Sequence, residues 1–474
     1  MKFIKKYIII LTVASIITGV FSTQLASGLT IKEEEDLSRQ IMSVIFNYYE
    51  WIDDPVVDDY INTLGYRLLA YLPEVIFRYR FYVIKADAFN AFAIPGGKIF
   101  INSGLLNVME NEDELAGILS HEIAHVFCRH ISQKIERSKK VSMATLAGAA
   151  AGMLLGTATG SGEAAQALTM GSMAAGQTAE LAYSRENEIQ ADQVGLDYLN
   201  KAGYGAEGLL EILKKMRSAQ WFGSETVPTY LMTHPAVDDR IAYVDTWLAT
   251  HPKKPEAASK TRNVNFERVQ ALVLTRYGDE KTVLANLEAA VRTDPQDALA
   301  HWRYGLILAR VGRHDEAIDQ IKIALTKRAF DTRILADLGR IYYLDGQYQK
   351  AVTILQNVHK RKPDDLECIL FLGRSQMELG QFKAASDYFY SLLKKHPAYA
   401  QGYYLLGQSL GKEGNLGEAH YYLGIFYLRK REFKSATVHF KKALKNTDDI
   451  ERKQKIEEIL AKLNKAAGEK KKGE

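Results

Sequence analysis

Over residues 29–72 apolar side chains recur at three- and four-residue spacing, as at Ile41, Ile45, Tyr48 and Tyr49 and again at Ile61, Leu64, Leu68 and Leu69. That period lays one apolar stripe along a helix, and Asp53-Asp54-Pro55 splits the run into two helices. Residues 77–84 are aromatic and β-branched and predict a strand. Residues 90–94 and 98–102 flank Pro95-Gly96-Gly97, which predicts a hairpin. Ser103 is set to cap a short helix, and Asn111 to Glu114 supply N-cap and N3 residues for the next one. Helical patterns return at 179–199, at 209–216, and from Asp239-Arg240 to about Leu248. Pro252 to Pro255 reads as a linker.

Beyond the linker a longer period takes over. Gly305, Gly339, Gly373 and Gly407 are each 34 residues apart, and so are Gly278, Gly312, Gly346, Gly380 and Gly414. Ala317, Ala351, Ala385 and Ala419 keep the same step. Small residues at helix crossings every 34 positions are the tetratricopeptide pattern, in which stacked helix pairs share one continuous core. Repeats start near 264, 298, 332 and 366, and one near 400 overlaps a last one. Leu423-Gly424 restarts the pattern 17 residues after Gly407, so the helix over 416–429 is expected to serve two repeats. An amphipathic helix through Ile456, Ile459, Leu460 and Leu463 closes the array. First helices of such repeats line a concave face, and the frame puts Trp302, Arg340, Tyr343, Arg374, Met377 and Tyr404 on it. Tyr342 reads as interhelix packing.

At 474 residues the chain exceeds a single core. Its formal charge of +4 includes Lys2, Lys5 and Lys6, so without them it is about +1, which argues against nucleic acid as a partner. The two cysteines, Cys128 and Cys368, exclude a disulfide framework and a Cys-based metal site. Residues 1–28 combine a basic start, an apolar run and the small residues Ala26 and Gly28, the layout of a secretory signal peptide, with an uncleaved anchor as the alternative. Residues 141–162 carry no charge and are rich in Ala and Gly. Close-packed helices, a mobile lid beside the site and membrane insertion are the three readings open for that segment.

The chemistry concentrates in His121-Glu122-Ile123-Ala124-His125. On a helix two residues four apart share a face, so both imidazoles can address one Zn²⁺, while Glu122 can take a proton from a water there. His130 lies five residues on, about 140° round a continuous helix, and is not expected to join the pair. The third ligand has to come from another helix. Glu188 supplies a carboxylate, and Asp192, one turn further on the same face, is set to accept the outer N–H of a ligand histidine.

Together with 90–97, Gly104-Leu105-Leu106, Glu112 to Gly117, Thr233-His234-Pro235 and Arg240, these motifs resemble the M48 family of zinc metallopeptidases. The resemblance, with an export signal ahead and repeats behind, spans nearly the whole chain. It implies an α+β, zincin-like metallopeptidase domain, mostly helical with a small sheet, followed by an all-α tetratricopeptide solenoid. The expected bounds are signal 1–28, peptidase 29–255, linker 256–263, repeats 264–467 and a Lys-rich tail 468–474. It further implies one Zn²⁺ per chain on His121, His125 and Glu188, with Glu122 as general base. Arg240 and His234 are the candidate oxyanion donors. His234 has three readings: a fourth ligand that keeps the enzyme latent, a substrate contact, or a loop residue. Asn90, Ala91, Phe92 and Ala93 would pair with an extended substrate. The implied setting is the periplasm, with peripheral membrane contact and no nucleic acid. The implied partners are unfolded or misassembled outer-membrane proteins and the barrel assembly machinery.

Overall fold

The computed structural model describes residues 29–137, 183–221, 229–251 and 259–470. The expected signal at 1–28, the Ala/Gly-rich 141–180 segment and the Pro252–Pro255 stretch lie outside them, as does the end of the Lys-rich tail. The chain divides into two compact units, one of Met1–Ile52 and Tyr60–Phe266, the other of Asp53–Asp59 and Glu267–Glu474.

The first unit begins with α1 (Ile31–Tyr48) and continues with α2 (Pro55–Leu69) from Tyr60 on. Thr30 and Glu33 cap α1 reciprocally, each side chain bonding the other's backbone N–H. Strands β1 (Arg80–Ile84), β2 (Ala91–Ile94) and β3 (Lys98–Asn102) form a sheet in the order β1-β3-β2, with β1 parallel and β2 antiparallel to β3. The hairpin turns on Gly96 and Gly97, both at φ +77°, a conformation an L side chain resists. Phe92 and Ile94 join Phe100 in a cluster with Leu37, Ile41 and Ile45 of α1. By strand alternation Ala91 and Ala93 face the other way.

Next come α3 (Ser103–Val108) and α4 (Glu112–Phe127). Asn111 caps α4, accepting from Glu114 N at 3.0 Å. Ser103 does not cap α3. It is already the first helical residue, and its hydroxyl is spent on Ala86, accepting from the backbone N at 3.0 Å and donating to the carbonyl at 3.1 Å. Then follow α5 (His130–Arg137), α6 (Arg185–Lys201), α7 (Glu207–Trp221), α8 (Thr229–Thr233) and α9 (Val237–Thr250). Helix α6 starts at Arg185, capped by Ser184, which accepts from Asn187 N, and the expected helical residues 179–182 lie outside the described residues.

Glycines let α4, α6 and α7 meet at backbone distance. A Cβ on Gly195 of α6 would sit 3.1 Å from Ser120 O, one on Gly117 2.9 Å from the Leu209 backbone, and one on Gly208 2.2 Å from the Asp113 carbonyl carbon. These contacts hold α4 and α6 in register.

Helix α10 (Ser259–Tyr277) runs through residues 259–263 that were expected as linker, and the second unit resumes within it at Glu267; no Pro or Gly occurs in its sequence to break it. Helix α11 (Glu280–Thr293) follows, then α12 (Ala298–Arg310) pairs with α13 (His314–Lys327), α14 (Thr332–Leu344) pairs with α15 (Tyr348–Arg361), and α16 (Leu366–Glu378) opens the next pair. Then come α17 (Phe382–Lys395), α18 (Ala400–Glu413), α19 (Leu416–Arg429), α20 (Phe433–Asn446) and the closing α21 (Ile450–Lys470). Each crossing glycine receives a large side chain from the next helix. A Cβ on Gly305, Gly339 or Gly373 would meet Ile321, Leu355 or Phe389 at 2.8, 2.5 and 2.6 Å. Leu423 of α19 fills the crossing at Gly407, and Gly424 of the same helix receives Phe440, each at 2.7 Å. So α19 ends one repeat and begins the next. Gly312, Gly346, Gly380 and Gly414 turn at positive φ, and Arg431, 17 residues after Gly414, takes that conformation in the last turn (φ 60°).

Trp302 does not reach the concave face. It is fully buried, donates from Nε1 to Asp337 Oδ2 at 2.9 Å and carries the Arg333 guanidinium 5.4 Å above its ring. A large ring gains more from the interhelix core than from a wet groove. Tyr342 is buried as packing. Arg340, Tyr343, Arg374, Met377 and Tyr404 are half-buried, and Arg374 lies 5.0 Å over the Tyr343 ring.

Gly208→Ala drives a methyl group into Asp113 backbone. It should cost about 1–3 kcal/mol, read as a lower urea midpoint at unchanged slope.

Candidate metal centre

The centre is built on α4, whose buried face carries His121, Glu122 and His125. From α6 come Glu188 and Asp192, both fully buried. From the far side comes the segment after α8. His234 N bonds Tyr230 O at 2.8 Å, and Ala236 at φ 63° turns the chain into α9, which delivers Arg240. The loops are pinned to their neighbours: Tyr183 N to Thr233 O at 3.0 Å, and Tyr230 N to Phe89 O at 3.1 Å.

Donor atoms of His121, His125, Glu188 and His234 all lie within 4.8 Å of one another. His121 Nε2 is 2.9 Å from His125 Nε2 and 3.3 Å from His234 Nδ1. Glu188 is 3.4 Å from the Nε2 atoms of both α4 histidines and 3.1 Å from His234 Nδ1. At a metal–nitrogen length of about 2.0–2.1 Å, the edge of a tetrahedron is about 3.3–3.4 Å. Four lone-pair donors at such spacing repel each other unless a cation or protons sit among them. The donor set therefore fits a divalent cation, with two imidazoles and a carboxylate as the helix-borne ligands.

The surroundings orient these ligands. Asp192 Oδ1 lies 2.8 Å from His121 Nδ1 and accepts its proton, leaving Nε2 for the cation. Arg240 donates from Nε to Asp192 Oδ2 and from Nη2 to Oδ1, both at 2.8 Å. Its Nη1 is 3.0 Å from Glu188 Oε2, an ion pair by distance whose angle is too poor for a hydrogen bond. Burial alone would raise the pKa values of both carboxyls. Arg240 and His121 outweigh it at Asp192, which falls to about 2, and His234 and Arg240 outweigh it at Glu188, which falls well below the usual range. Glu122 differs. Among the described residues neither carboxylate oxygen has a hydrogen-bond donor, and burial lifts its pKa against the pull of His234 and His121. It stands 3.5 Å from His234 Nε2.

All the sequence-derived ligand positions, with Glu122, Asp192, His234 and Arg240, thus meet in one buried cluster. Ala91 to Ala93 lie on the outer strand β2, against which α4 packs, and Asn90 directly precedes it. Asn102 N bonds Asn90 O at 2.9 Å, so by antiparallel alternation Phe92 also pairs with β3 while the amides of Ala91 and Ala93 point to the outer edge. The two alanine side chains are themselves buried, so they let α4 approach closely and leave no pockets.

Three further residues escape the sequence motifs. Tyr183 stacks on His125 at 3.8 Å, and Tyr230 stacks on His234 at 4.2 Å with its hydroxyl buried and without a hydrogen-bond partner among the described residues. The four-residue step from Tyr230 to His234 is a signal that could have found the second. The third is His130, which touches His125.

Residues 64–255 match peptidase family M48, and residues 284–332, 310–365 and 342–409 match tetratricopeptide repeats. The chain is similar to the β-barrel assembly-enhancing protease of Escherichia coli K12, 27% identical over 327 residues, which are 68% of this chain and 64% of that protein. It is similar to a putative β-barrel assembly-enhancing protease of Vibrio cholerae, 32% identical over 255 residues, 54% of this chain and 51% of that protein. The mitochondrial metalloendopeptidase OMA1 of Schizosaccharomyces pombe matches at 28% over 199 residues, 42% of this chain and 55% of that protein. The chain spans less than two thirds of the length of these relatives.

Without a cation, burial and Arg240 oppose a charge on His121, but Asp192 and Glu188 outweigh them and raise its pKa to about 9. A ligand histidine must be neutral, so below pH ~9 metal uptake has to expel that proton. Calorimetry at pH 7 in buffers of different ionisation enthalpy should register about one proton released per site. Apparent affinity should climb with pH and level off above ~9.

Proposed function

We propose that this chain, which carries a metallopeptidase domain of family M48 followed by tetratricopeptide repeats, hydrolyses peptide bonds in unfolded or misassembled outer-membrane proteins, using one Zn²⁺ per chain. The reading rests on one observation above all: four buried donors at coordination spacing, with an undonated carboxylate, Glu122, beside them. Zinc is preferred among divalent cations because two imidazoles and one carboxylate suit it. The substrate class draws on the names of the bacterial relatives. The periplasmic setting draws on the export signal expected at 1–28. Among the described residues, no helix is long and apolar enough to cross a membrane.

When bound, the cation polarises the scissile carbonyl and acidifies a water toward pKa ~7. Glu122 takes that water's proton, since its buried carboxylate has no donor to stabilise the charge, and returns it to the departing amine. Arg240 spends Nε and Nη2 on Asp192, and its Nη1, ion-paired with Glu188 but without a hydrogen-bond acceptor among the described residues, is the buried donor for the developing oxyanion. The substrate enters extended and adds to the outer edge of β2 through the amides of Ala91 and Ala93. Side-chain selection then lies elsewhere than at those two positions.

His234 adds a resting state. With Nδ1 3.1 Å from Glu188 and 3.3 Å from His121 Nε2, it takes the position the attacking water needs. The enzyme is then latent until this segment moves. The repeats present the partner face, through Arg374, Tyr343 and Tyr404, to client protein or to the barrel assembly machinery. A scaffold or chaperone-like role for that face is the second reading, favoured by the Arg374–Tyr343 stack.

Glu122→Gln should lower hydrolysis of an unfolded protein substrate by about 10²–10⁴-fold, with Zn²⁺ content unchanged on elemental analysis. Full activity in that variant ends the peptidase reading. Unimpaired outer-membrane assembly in cells carrying it makes the scaffold role dominant. His234→Ala should hydrolyse the same substrate faster than wild type, and a rate no higher with metal retained rules latency out.

A further inference from the structure

On an unbroken helix His130 would point about 140° away from His125. The chain breaks the helix first. Helix α4 ends at Phe127, Cys128 closes it with its N–H on Ala124 O, and Arg129 adopts φ 56° before α5 begins at His130. Arg129 is held in that unfavourable conformation by Glu34, which accepts from its Nε at 2.6 Å. The turn brings the His130 ring back against the helix it has just left. His130 Nδ1 lies 2.9 Å from His125 Nδ1, and His130 Nε2 lies 2.9 Å from Gln190 Oε1. His130 is itself 1% exposed.

We propose that Gln190 and His130 form a neutral relay that sets the tautomer and orientation of His125 for metal binding. Gln190 Oε1 can only accept, so the His130 proton sits on Nε2. His130 Nδ1 is then a lone pair and accepts Nδ1–H from His125. That leaves His125 Nε2 unprotonated and facing the other donors. The two α4 ligands are thus held by different chemistry: His121 by a carboxylate that is itself bonded by arginine, His125 by an uncharged imidazole. Gln190 lies two residues after Glu188 on α6, so the helix that supplies the third ligand also orients the second. Tyr183, stacked on the His125 ring, blocks the tilt that would break the relay. His130 is a positioning residue and meets no reacting atom.

The inference rests on the metal-centre reading, and competition for Zn²⁺ against a chromophoric chelator separates the two. Wild type that binds no Zn²⁺ overturns the centre itself. If wild type binds, His130→Phe, which keeps a ring but removes the acceptor, should weaken Zn²⁺ binding about 10–100-fold. Its metal-free melting temperature should stay near wild type. Gln190→Leu, at an exposed side chain, should weaken binding in the same direction, and Gln190→Glu, which still accepts from His130, should restore it. The Co²⁺-substituted protein should show displaced d–d bands in His130→Phe and Gln190→Leu but not in Gln190→Glu. Wild-type affinity in His130→Phe overturns the relay. So does a loss in His130→Phe with both Gln190 variants neutral, since that marks packing alone. If His130→Phe does not fold, Gln190→Leu decides, and neutrality there overturns the relay.

Discussion

Three carboxylates, of Glu122, Glu188 and Asp192, and three imidazoles, of His121, His125 and His234, are buried in one cluster. Burying that many donors is costly unless every lone pair and every charge finds a counterpart. Arg240 is the counterpart on one side, chelating Asp192 and pairing with Glu188. A divalent cation is the counterpart on the other. The rest of the first unit serves this arrangement. Backbone-close crossings at Gly117, Gly195 and Gly208 set the spacing of α4, α6 and α7. The hairpin and α1 bury the other face of the sheet on which α4 rests. Glu122 stands apart from the network, since among the described residues neither of its carboxylate oxygens has a hydrogen-bond donor.

The second unit uses a simpler rule. A glycine on one helix accepts a large side chain from the next, every 34 residues, and the core propagates along the array. Helix α19 shows how flexible that rule is, since one helix carries both the knob for Gly407 and the hole for Phe440. The positive-φ turn persists even where arginine replaces glycine at Arg431. Burial of Trp302 and Tyr342 leaves Arg340, Tyr343, Arg374 and Tyr404 as the groups available to a partner.

The residues of the centre that carry a fixed spacing are legible in the chain. His121 and His125 share a face because the helix repeats every 3.6 residues, and Glu188 with Asp192 repeats that geometry on a second helix. The repeats are legible for a similar reason, because each copy meets the same packing demand. What escapes is whatever depends on a break in periodicity. His130 is turned toward His125 by a left-handed residue at Arg129, which carries no glycine to announce it. Ser103 looks like a cap, but Ala86 competes for its hydroxyl.

The sequence by itself therefore determines which helices exist, where the hairpin turns, how the repeats are framed and which side chains are chemically able to hold a cation. Periodicity and turn chemistry are local, and a local pattern can be read along one strand of text. Only the tertiary structure decides that His234 stands among the buried donors of His121, His125 and Glu188 and that Arg240 is shared between two carboxylates. It alone turns Ala91 and Ala93 into a close-packing surface and couples Gln190 through His130 to His125. These are matters of which groups are left facing each other once water is excluded, and that choice is made by the packing of segments far apart in the chain.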